Sequence, residues 1–553
     1  MSTAEDGAPL LDNRDNRDNS GTRDELDDVT NTRHFWQESS GIVDWWRSRS
    51  HDALKFLAVL LVLGVGLGFL VYSTLPASDE DEYPHEFALD TSRIRNHLLK
   101  FQEIAERHNN SRSVTNGHAA SAEYVVSQLN AHGSCDVHMQ HFMSPVWTVN
   151  STPRFSLKGP ARVDYIFGTD FQIMRYGGQG ASINKAQLVA VGNNGCVAEE
   201  AGDVSGKVAV VQPSRKCTVF ESAFMLEQLG ASAVVFVRSA RFKTPSTARV
   251  RITDWKEGDP LMTIPVLSVT HSVGQLLYSM TSSAYVDVET NTSIDVVKTF
   301  NVICVGRTGD PSSTVLVGSH LDSVAAGPGI NDNGSGSAST LEIQLTLSRI
   351  GFKPHNRLVF AWWGAEEDGL LGSRHFARVL AHGWRNRWTN EEPVDVRWKD
   401  IALDLNFDML ASPNYIALIH NGTDAPEQAR NGSQLIQQVF EDYFVRHKYS
   451  YQITDMLAGS DFLPFVDNGV PAGGVLTGAG ELKSIEDRHE HGGLANAPLD
   501  TCYHRDCDTI LNINIEALRK MSKAAMYAVS TLSNMHDLRK VLSGALLPQY
   551  LQK

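Results

Sequence analysis

Residues 314–363, TVLVGSHLDSVAAGPGINDNGSGSASTLEIQLTLSRIGFKPHNRLVFAWW, contain the pattern that decides the fold. Two short, mostly apolar runs, Thr314–Ser319 and Leu358–Trp363, have the length and composition of buried strands. Between them, Ser337–Ile350 carries apolar residues at helical spacing and is followed by Gly351, a typical residue at a helix end. Strand, helix and strand in this order predict a βαβ unit, whose two strands are parallel.

The chain on both sides of this unit continues the alternation of strands and helices. Ile401–Phe407 is another apolar run suited to a buried strand. Because crossover helices cover both faces of such a sheet, we predict an α/β fold, with a mostly parallel mixed sheet flanked by helices. Residues 86–165 and 297–537 are predicted to form this domain together, and residues 538–553 a C-terminal tail.

Residues 166–296 interrupt that domain and differ from it in their sequence pattern. They contain short β-like runs, Lys207–Val211 and Ala233–Val237, with a helical stretch at Glu221–Leu229 between them. The segment carries none of the acidic and histidine clusters found later in the chain. We predict a β-rich inserted domain.

The amino-terminal region predicts a membrane anchor. Residues 1–52 are rich in Asp, Asn, Arg, Ser and Gly, a composition typical of disorder. Phe56–Leu75 is a run of twenty residues without charge, which as a helix spans about 30 Å, the thickness of a bilayer core. A cleaved signal peptide has a shorter apolar run and a shorter preceding segment. We therefore predict a transmembrane signal anchor at 53–75, followed by an acidic stalk at 76–85.

Charges around the run predict its orientation. Arg47, Arg49 and Lys55 precede it and an acidic block follows it, so the amino end is expected to be a cytosolic tail, as in a single-pass type II protein. Every glycosylation sequon lies after the run, and the predicted acceptors are Asn109, Asn150, Asn291, Asn421 and Asn431. The catalytic part is thus expected in the lumen or outside the cell.

Two further features concern partners. Leu10 and Leu11 stand in an acidic dileucine pattern, which predicts contact with a sorting adaptor and favours a vacuolar or lysosomal membrane, with the cell surface as the alternative. The formal net charge of −15 argues against a nucleic-acid partner, because phosphates require a basic face. The sequence does not indicate an oligomeric state.

Five short segments after residue 315 hold residue types that bind metals. Each alone is ordinary, since H-x-D occurs on surfaces and paired glutamates occur in solvated turns. Their ordered occurrence on an α/β pattern indicates a site at the carboxyl ends of the strands. The segments are GSHLDSV (318–324), GINDNGSG (329–336), GAEEDGLLGS (364–373), NFDML (406–410) and CYHRDCDT (502–509).

These residues match the needs of peptide-bond hydrolysis. Two zinc ions roughly 3.5–4 Å apart can polarise the carbonyl and bring the pKa of water near 7. Glu366 remains as a base that takes the proton of the attacking water, and Asp322 can orient the imidazole of His320. The predicted ligands are His320, Asp332, Glu367, Asp408 and His504.

The same segments resemble the metal motifs of the di-zinc aminopeptidases of the aminopeptidase Y and bacterial leucyl aminopeptidase type. GSHLDSVAAGPGINDNGSG, AWWGAEEDGLLGS, NFDML and YHRDCDT match in order and spacing, and the resemblance covers roughly residues 86–535. It implies the zinc exopeptidase fold, two zinc ions per chain, peptide substrates and release of amino-terminal residues.

The resemblance also implies residue roles. Asp332 would bridge the metals, His320 and Asp408 would complete one site, and Glu367 and His504 the other. Cys502 and Cys507 would form a disulfide. The inserted segment resembles a protease-associated domain, in which Cys196 and Cys217 would pair; Cys135 and Cys304 are left either paired or free.

The sequence departs from the family pattern at two positions. Asn333 stands where an aspartate is common, and it begins an N-G-S sequon that we expect to be unmodified, since a glycan there would block the metals. Phe462 stands where relatives often carry histidine. Neither departure removes a ligand, but both leave the substrate preference open.

Three alternatives remain for the function. A carboxypeptidase on the same fold would need a cation for the substrate carboxylate, and a glutaminyl cyclase works with one zinc ion. A non-catalytic receptor or scaffold would usually have lost ligands or the base. The complete set of six residues favours the aminopeptidase.

Overall fold

The strand, helix and strand predicted around residue 336 are present. The structure is a computed structural model that describes residues 84–545, apart from 133–134, 160–161, 253–254, 282, 387–392 and 457–458. The strands are β1 (Cys135–Lys158), β2 (Arg162–Tyr165), β3 (Phe171–Ile173), β4 (Ala181–Ala190), β5 (Val208–Val211), β6 (Ala233–Val237), β7 (Val266–Val269), β8 (Tyr285–Gly306), β9 (Asp310–His320), β10 (Asn356–Trp363), β11 (Ile401–Phe407), β12 (Leu418–His420), β13 (Gln452–Thr454) and β14 (Ala472–Leu476). The helices are α1 (Thr91–Arg107), α2 (His118–His132), α3 (Val219–Gln228), α4 (His271–Ser279), α5 (Gly336–Arg349), α6 (Leu371–His382), α7 (Glu427–Arg446), α8 (Leu463–Val466), α9 (Ile485–His491), α10 (Ile515–Asn534) and α11 (Leu538–Leu542).

The sheet of the main domain has a parallel centre. Strands β14, β11, β9 and β10 lie side by side and run in the same direction. Strands β8 and β12 pair with its two edges in the antiparallel sense. Every residue of β10 and β11 is buried, as expected for strands covered on both faces. The predicted α/β fold with a mostly parallel mixed sheet is confirmed.

Helices cover the two faces of this sheet with separate apolar cores. Val315 and Val317 of β9 lie in the core formed with α1, α5, α7 and α10. Leu316, between them in sequence, lies in the opposite core with Phe376 of α6 and Phe465 of α8. This alternation follows from strand geometry, in which successive side chains point to opposite faces.

A long antiparallel ribbon joins the main domain to the inserted domain. Strands β1 and β8 pair from Cys135 opposite Gly306 to Lys158 opposite Tyr285, with two register shifts in β1 between Val149 and Arg154. In the inserted domain, β4, β5, β6 and β7 are parallel neighbours, with apolar clusters packed on both sides. The predicted boundary at residue 297 falls inside β8, which runs through it without a break.

The C-terminal segment corrects one predicted boundary. Residues 538–542 were expected to begin a tail, but they form α11. Its apolar residues Leu538, Val541 and Leu542 have i, i+3, i+4 spacing and are buried in the core beside α7.

The predicted tail, anchor and stalk up to residue 83 lie outside the described residues. Among the helices that are described, none is long and apolar enough to cross a bilayer.

Candidate metal centre

Three of the predicted site segments meet because they follow neighbouring parallel strands. His320 is the last residue of β9, Glu366 and Glu367 follow β10, and Asp408 directly follows β11. Since β9, β10 and β11 are parallel, their carboxyl ends share one edge of the sheet. Asp332, in the turn before α5, joins them at this edge, and so does His504, from the loop between α9 and α10.

The five predicted ligands form two groups that share Asp332. In the first, Nε2 of His320 lies 3.3 Å from Oδ1 of Asp332 and 3.3 Å from Oδ1 of Asp408. In the second, Nε2 of His504 lies 3.1 Å from Oδ2 of Asp332 and 3.2 Å from Oε1 of Glu367. Asp332 therefore offers one oxygen atom to each group, and the structure brings all five residues together.

The chemistry of these groups fits metal ions. Apart from the histidine nitrogens of the two groups, Oε1 of Glu367 and Oδ1 of Asp408 are buried without a hydrogen-bond partner among the described residues. Buried polar atoms normally have partners, so such atoms need an explanation, and a cation between the ligands would supply it. Imidazole nitrogen and carboxylate oxygen are ligands that zinc commonly uses.

The pKa values of the two histidines also favour bound cations at this site. Burial alone would lower the pKa of His504, but the carboxylates of Glu367 and Asp332 raise it to about 10. Burial would also lower the pKa of His320, yet the charges of Asp408 and Glu366 raise it well above its usual value. The excess of carboxylates therefore favours positive charge at this place, which bound cations would provide instead of protons.

The proposed base lies beside these ligands. Glu366 is partly buried, and burial, together with the charges of Glu367 and Asp461, raises the pKa of its carboxyl well above the usual range. The main-chain N–H of Glu366 donates to Oδ1 of Asp322 at 3.1 Å, and that of Glu367 donates to Oδ2 of Asp322 at 3.2 Å. One buried carboxylate thus holds both glutamates of the loop.

Asp322 also borders the imidazole of His320, as its spacing predicted. Nδ1 of His320 lies 3.2 Å from the main-chain oxygen of Asp322 and 3.7 Å from Oδ1 of its carboxylate. Asp322 is fully buried. Asp322 therefore contacts both His320 and the loop that carries Glu366 and Glu367. The sequence predicted only its contact with His320.

Comparison with known proteins identifies the family. Sequence models of Peptidase family M28 and of the PA domain match residues 301–529 and 184–277. The chain is 34% identical over 461 residues to an aminopeptidase of Pseudomonas aeruginosa, covering 80% of this chain and 81% of that protein. The chain belongs to Peptidase family M28. This M28 chain is also 32% identical over 426 residues to a probable leucine aminopeptidase 2 of Aspergillus fumigatus, with 76% and 78% covered.

Solved structures show the same fold. The aminopeptidase from Aneurinibacillus sp. strain AM-1 has a TM-score of 0.61 at 19% identity, covering 80% of this chain and 94% of that one. The zinc aminopeptidase from Bacillus subtilis has a TM-score of 0.53 at 19% identity, with 81% and 98% covered. The family and the inserted PA domain predicted from the sequence are confirmed.

A buried arginine that the sequence did not single out fastens the first ligand segment of this M28 chain. Arg112 is fully buried, and its guanidinium donates to the main-chain oxygens of Leu321, Pro328 (2.8 Å) and Gly329. These oxygens belong to the segment between His320 and Asp332. The guanidinium, with several donors in a fixed plane, can fix the course of such an irregular loop.

A second unpredicted residue holds the shared ligand. Asp508 is buried, and its two carboxylate oxygens accept hydrogen bonds from the main-chain N–H groups of Asn331 at 2.9 Å and Asp332 at 3.0 Å. Burial raises the pKa of Asp508 to about 7.

Ser460 orients another ligand. Its hydroxyl donates to Oδ2 of Asp408 at 2.9 Å, which leaves Oδ1 of Asp408 for the metal group.

The two departures from the family pattern have structural explanations. Asn333 is fully buried; its amide donates to the main-chain oxygen of Phe407 at 2.9 Å and accepts from the N–H of Met409 at 3.2 Å. An aspartate could not donate the first bond, and a buried amide is not accessible to a glycan. Phe462 is fully buried and packs on His420, with ring centroids 4.7 Å apart, so an imidazole remains in this region.

All six cysteines form disulfides in the structure. Cys502 pairs with Cys507, closing the loop that presents His504. Cys196 pairs with Cys217 in the inserted domain, and Cys135 pairs with Cys304 at the base of the long ribbon. The first two pairs were predicted and are confirmed, and the third was left open by the sequence.

The predicted glycan acceptors lie on the surface. Asn421 is partly exposed, and its side chain accepts a hydrogen bond from the N–H of Thr423 at 3.1 Å. The exposed ones are Asn109, Asn150, Asn291 and Asn431. Their modification stays a prediction.

Proposed function

We infer that this M28 chain is a metal-dependent aminopeptidase that releases residues from the amino ends of peptides. The observation that carries this is the position of Asp332, which presents one carboxylate oxygen to each of two histidine-carboxylate groups. The two relatives described above support the same activity, since one is called an aminopeptidase and the other a probable leucine aminopeptidase 2.

We propose that the centre holds two zinc ions. His320, Asp332 and Asp408 would hold one, and Asp332, Glu367 and His504 the other. Zinc bound in this way supplies a Lewis acid for the scissile carbonyl and lowers the pKa of water. Five ligand residues fit a pair of ions better than the single ion of a glutaminyl cyclase.

We propose Glu366 as the general base and general acid of the reaction. Its carboxylate would take a proton from the attacking water and deliver it to the leaving amine. The main chain of Glu366 is fixed by Asp322, which also borders His320, so the base and the first ligand share one support. Carboxylates around the metals would hold the free α-ammonium group of the substrate, and this contact would restrict cleavage to the amino end.

The cleft beside the ligands suggests the kind of residue that is released. A cavity of about 430 Å³ reaches Glu367 and His504, and much of its wall is apolar. Part of the apolar wall comes from β1, with Val146, Trp147 and Val149, and the rest from Val114 and residues 324–326. Such a wall favours large apolar side chains, because they lose water-exposed area on binding.

The placement of the protein in the cell remains a proposal from the sequence. We propose that residues 53–75 anchor it as a type II membrane protein, with the PA and peptidase domains in the lumen of a vacuole or lysosome. The sequons after the anchor support this placement, and the dileucine at Leu10 and Leu11 would be its sorting signal.

Amide substrates test the proposed activity. Leucine p-nitroanilide is expected to be hydrolysed, whereas the same compound with an acetylated amino group is expected to react at least about 100-fold more slowly, because the α-ammonium contact is lost. A chelator should abolish the activity, and added zinc should restore it.

Each alternative has its own outcome in this experiment. Cleavage of amino-blocked peptides from their carboxyl end would indicate a carboxypeptidase, and release of pyroglutamate from amino-terminal glutamine a cyclase. Absence of all three activities in a zinc-loaded protein would indicate a receptor or scaffold.

A further inference from the structure

The loop that carries Glu366 and Glu367 has an unfavourable backbone. Ala365 and Leu370 both have positive φ values, 58° and 59°, although neither is glycine. Residues with a Cβ atom rarely adopt this conformation, and it persists only where the surroundings impose it. The contacts that hold residues 365–370 therefore matter for the site.

The peptide groups of this loop are held from two sides. On one side, Asp322 of the peptidase domain accepts hydrogen bonds from the N–H groups of Glu366 and Glu367. On the other, two arginines of the inserted domain donate to the main-chain oxygen of Glu367: Arg175 through Nη2 at 3.0 Å, and Arg249 through Nη2.

A third polar contact from the inserted domain reaches the next residue. The hydroxyl of Tyr176, which is almost fully buried, donates to Oδ1 of Asp368. Burial raises the pKa of Asp368 to about 6, while the hydroxyl of Tyr176 and the charges of Arg175 and Arg249 oppose that rise. Arg175 and Tyr176, which are adjacent in sequence, and Arg249 thus contact this one loop from the inserted domain.

The arginines are themselves fixed in place. Arg175 and Arg249 lie side by side on two parallel segments, where the N–H of Val250 donates to the main-chain oxygen of Arg175 at 2.8 Å. An apolar cluster closes the contact between the domains and includes residues from the ribbon, the inserted domain and the loop. Its buried members are Phe142, Tyr176, Ile252, Ile294, Ala365 and Leu371.

We propose that the inserted domain is part of the catalytic apparatus, with Arg175, Arg249 and Tyr176 as positioning residues for the loop that carries Glu366 and Glu367. The proposal rests on the proposed function of those two glutamates. Because Glu367 is a proposed metal ligand, releasing its main-chain oxygen would let its carboxylate move away from His504. Because Glu366 precedes it, the proposed base would move as well.

Variants that remove the guanidinium groups test this. Arg175→Met with Arg249→Met in the full-length protein is expected to lower kcat on leucine p-nitroanilide by about 100-fold, the effect of displacing a catalytic group by about 1 Å. KM should change much less than kcat: Arg175 borders the cavity beside Glu367 and His504, but the main effect of the change is on the reaction. The double lysine variant should recover part of kcat, because each arginine contacts the oxygen of Glu367 through one nitrogen and lysine retains one charged donor group on a shorter side chain.

Two measurements separate positioning from general damage. The double methionine variant should lose zinc to a chelator faster than the wild type, a readout that does not depend on activity. Arg215→Met, at an exposed arginine of the same domain, is the matched control and should change neither kcat nor zinc release. If the double methionine variant does not fold, Tyr176→Phe takes its place in the test. It removes a single hydroxyl and should lower kcat about tenfold.

Three outcomes would overturn the proposal. In the first, kcat and zinc release are unchanged in the folded variants. In the second, only KM rises, and only for peptides with a free carboxylate, which would make the arginines substrate contacts. In the third, lysine fails to restore kcat and zinc retention. If the wild type has no activity at all, the proposed function fails, while zinc release still tests the contact between the domains.

Discussion

Glu366→Gln is expected to lower kcat by roughly 10²–10⁴-fold while the protein keeps its zinc and its fold. Glutamine has the size of glutamate but cannot accept the proton of the attacking water at neutral pH. The side chain of Glu366 belongs to neither metal group, so the ligand set stays complete in the variant. Steady-state hydrolysis of leucine p-nitroanilide, with zinc per chain measured on the same sample, provides the test.

Glu486→Gln is a suitable control, because Glu486 is exposed on α9 and the substitution changes the charge by the same amount. Its kcat should equal that of the wild type. Turnover close to normal in Glu366→Gln would refute the role of Glu366, whereas zinc loss in that variant would mean that Glu366 is a ligand.

Asp332→Asn is expected to abolish activity by a different route, namely loss of metal. Each carboxylate oxygen of Asp332 lies beside one histidine, 3.3 Å from His320 and 3.1 Å from His504. An amide offers one neutral oxygen atom and one NH2 group, so it can serve at most one of the two groups. We expect fewer than two zinc ions per chain by elemental analysis, and activity too low to measure.

The control for this variant is Asp506→Asn. Asp506 is exposed and lies two residues from His504, so it reports the effect of removing one negative charge near the site. Its zinc content and kcat should remain those of the wild type. Two retained zinc ions in Asp332→Asn would show that Asp332 does not join the two groups.

The fold was predictable where burial requires a clear pattern of apolar residues in the sequence. Strand β11 was predicted with its observed bounds, Ile401–Phe407, because every residue in it is buried. Helix α5 was predicted to within one residue, and Gly351 ends it with a φ of 66°. Three of the ligands, His320, Glu367 and Asp408, followed from the same pattern, because parallel strands bring the residues at their carboxyl ends to one edge of the sheet.

Contacts between distant segments were not predictable in this way. Arg112 is 209 residues from Leu321 and Arg175 is 192 residues from Glu367. The sequence around each arginine does not distinguish it from an arginine on the surface. Asp508 was inside a predicted segment, but its function depends on the main-chain N–H groups of Asn331 and Asp332. Only the folded chain shows which main-chain groups need such partners.

The domain boundary shows a further limit of local patterns. Strand β8 runs from the inserted domain into the main domain without a break and pairs with β1 in both. The alternation of buried and exposed residues ends at Ile294 and residues 301–305 are all buried, but the strand itself does not break between the two domains. The end of an insertion is therefore hard to find when a ribbon carries it.

Zinc-edge anomalous diffraction from crystals of the zinc-loaded protein tests the central claim most directly. We predict two anomalous peaks about 3.5–4 Å apart, one beside His320 and Asp408 and the other beside Glu367 and His504, with the Asp332 carboxylate between them. A single peak, or two peaks that do not share Asp332, would contradict the two-zinc centre.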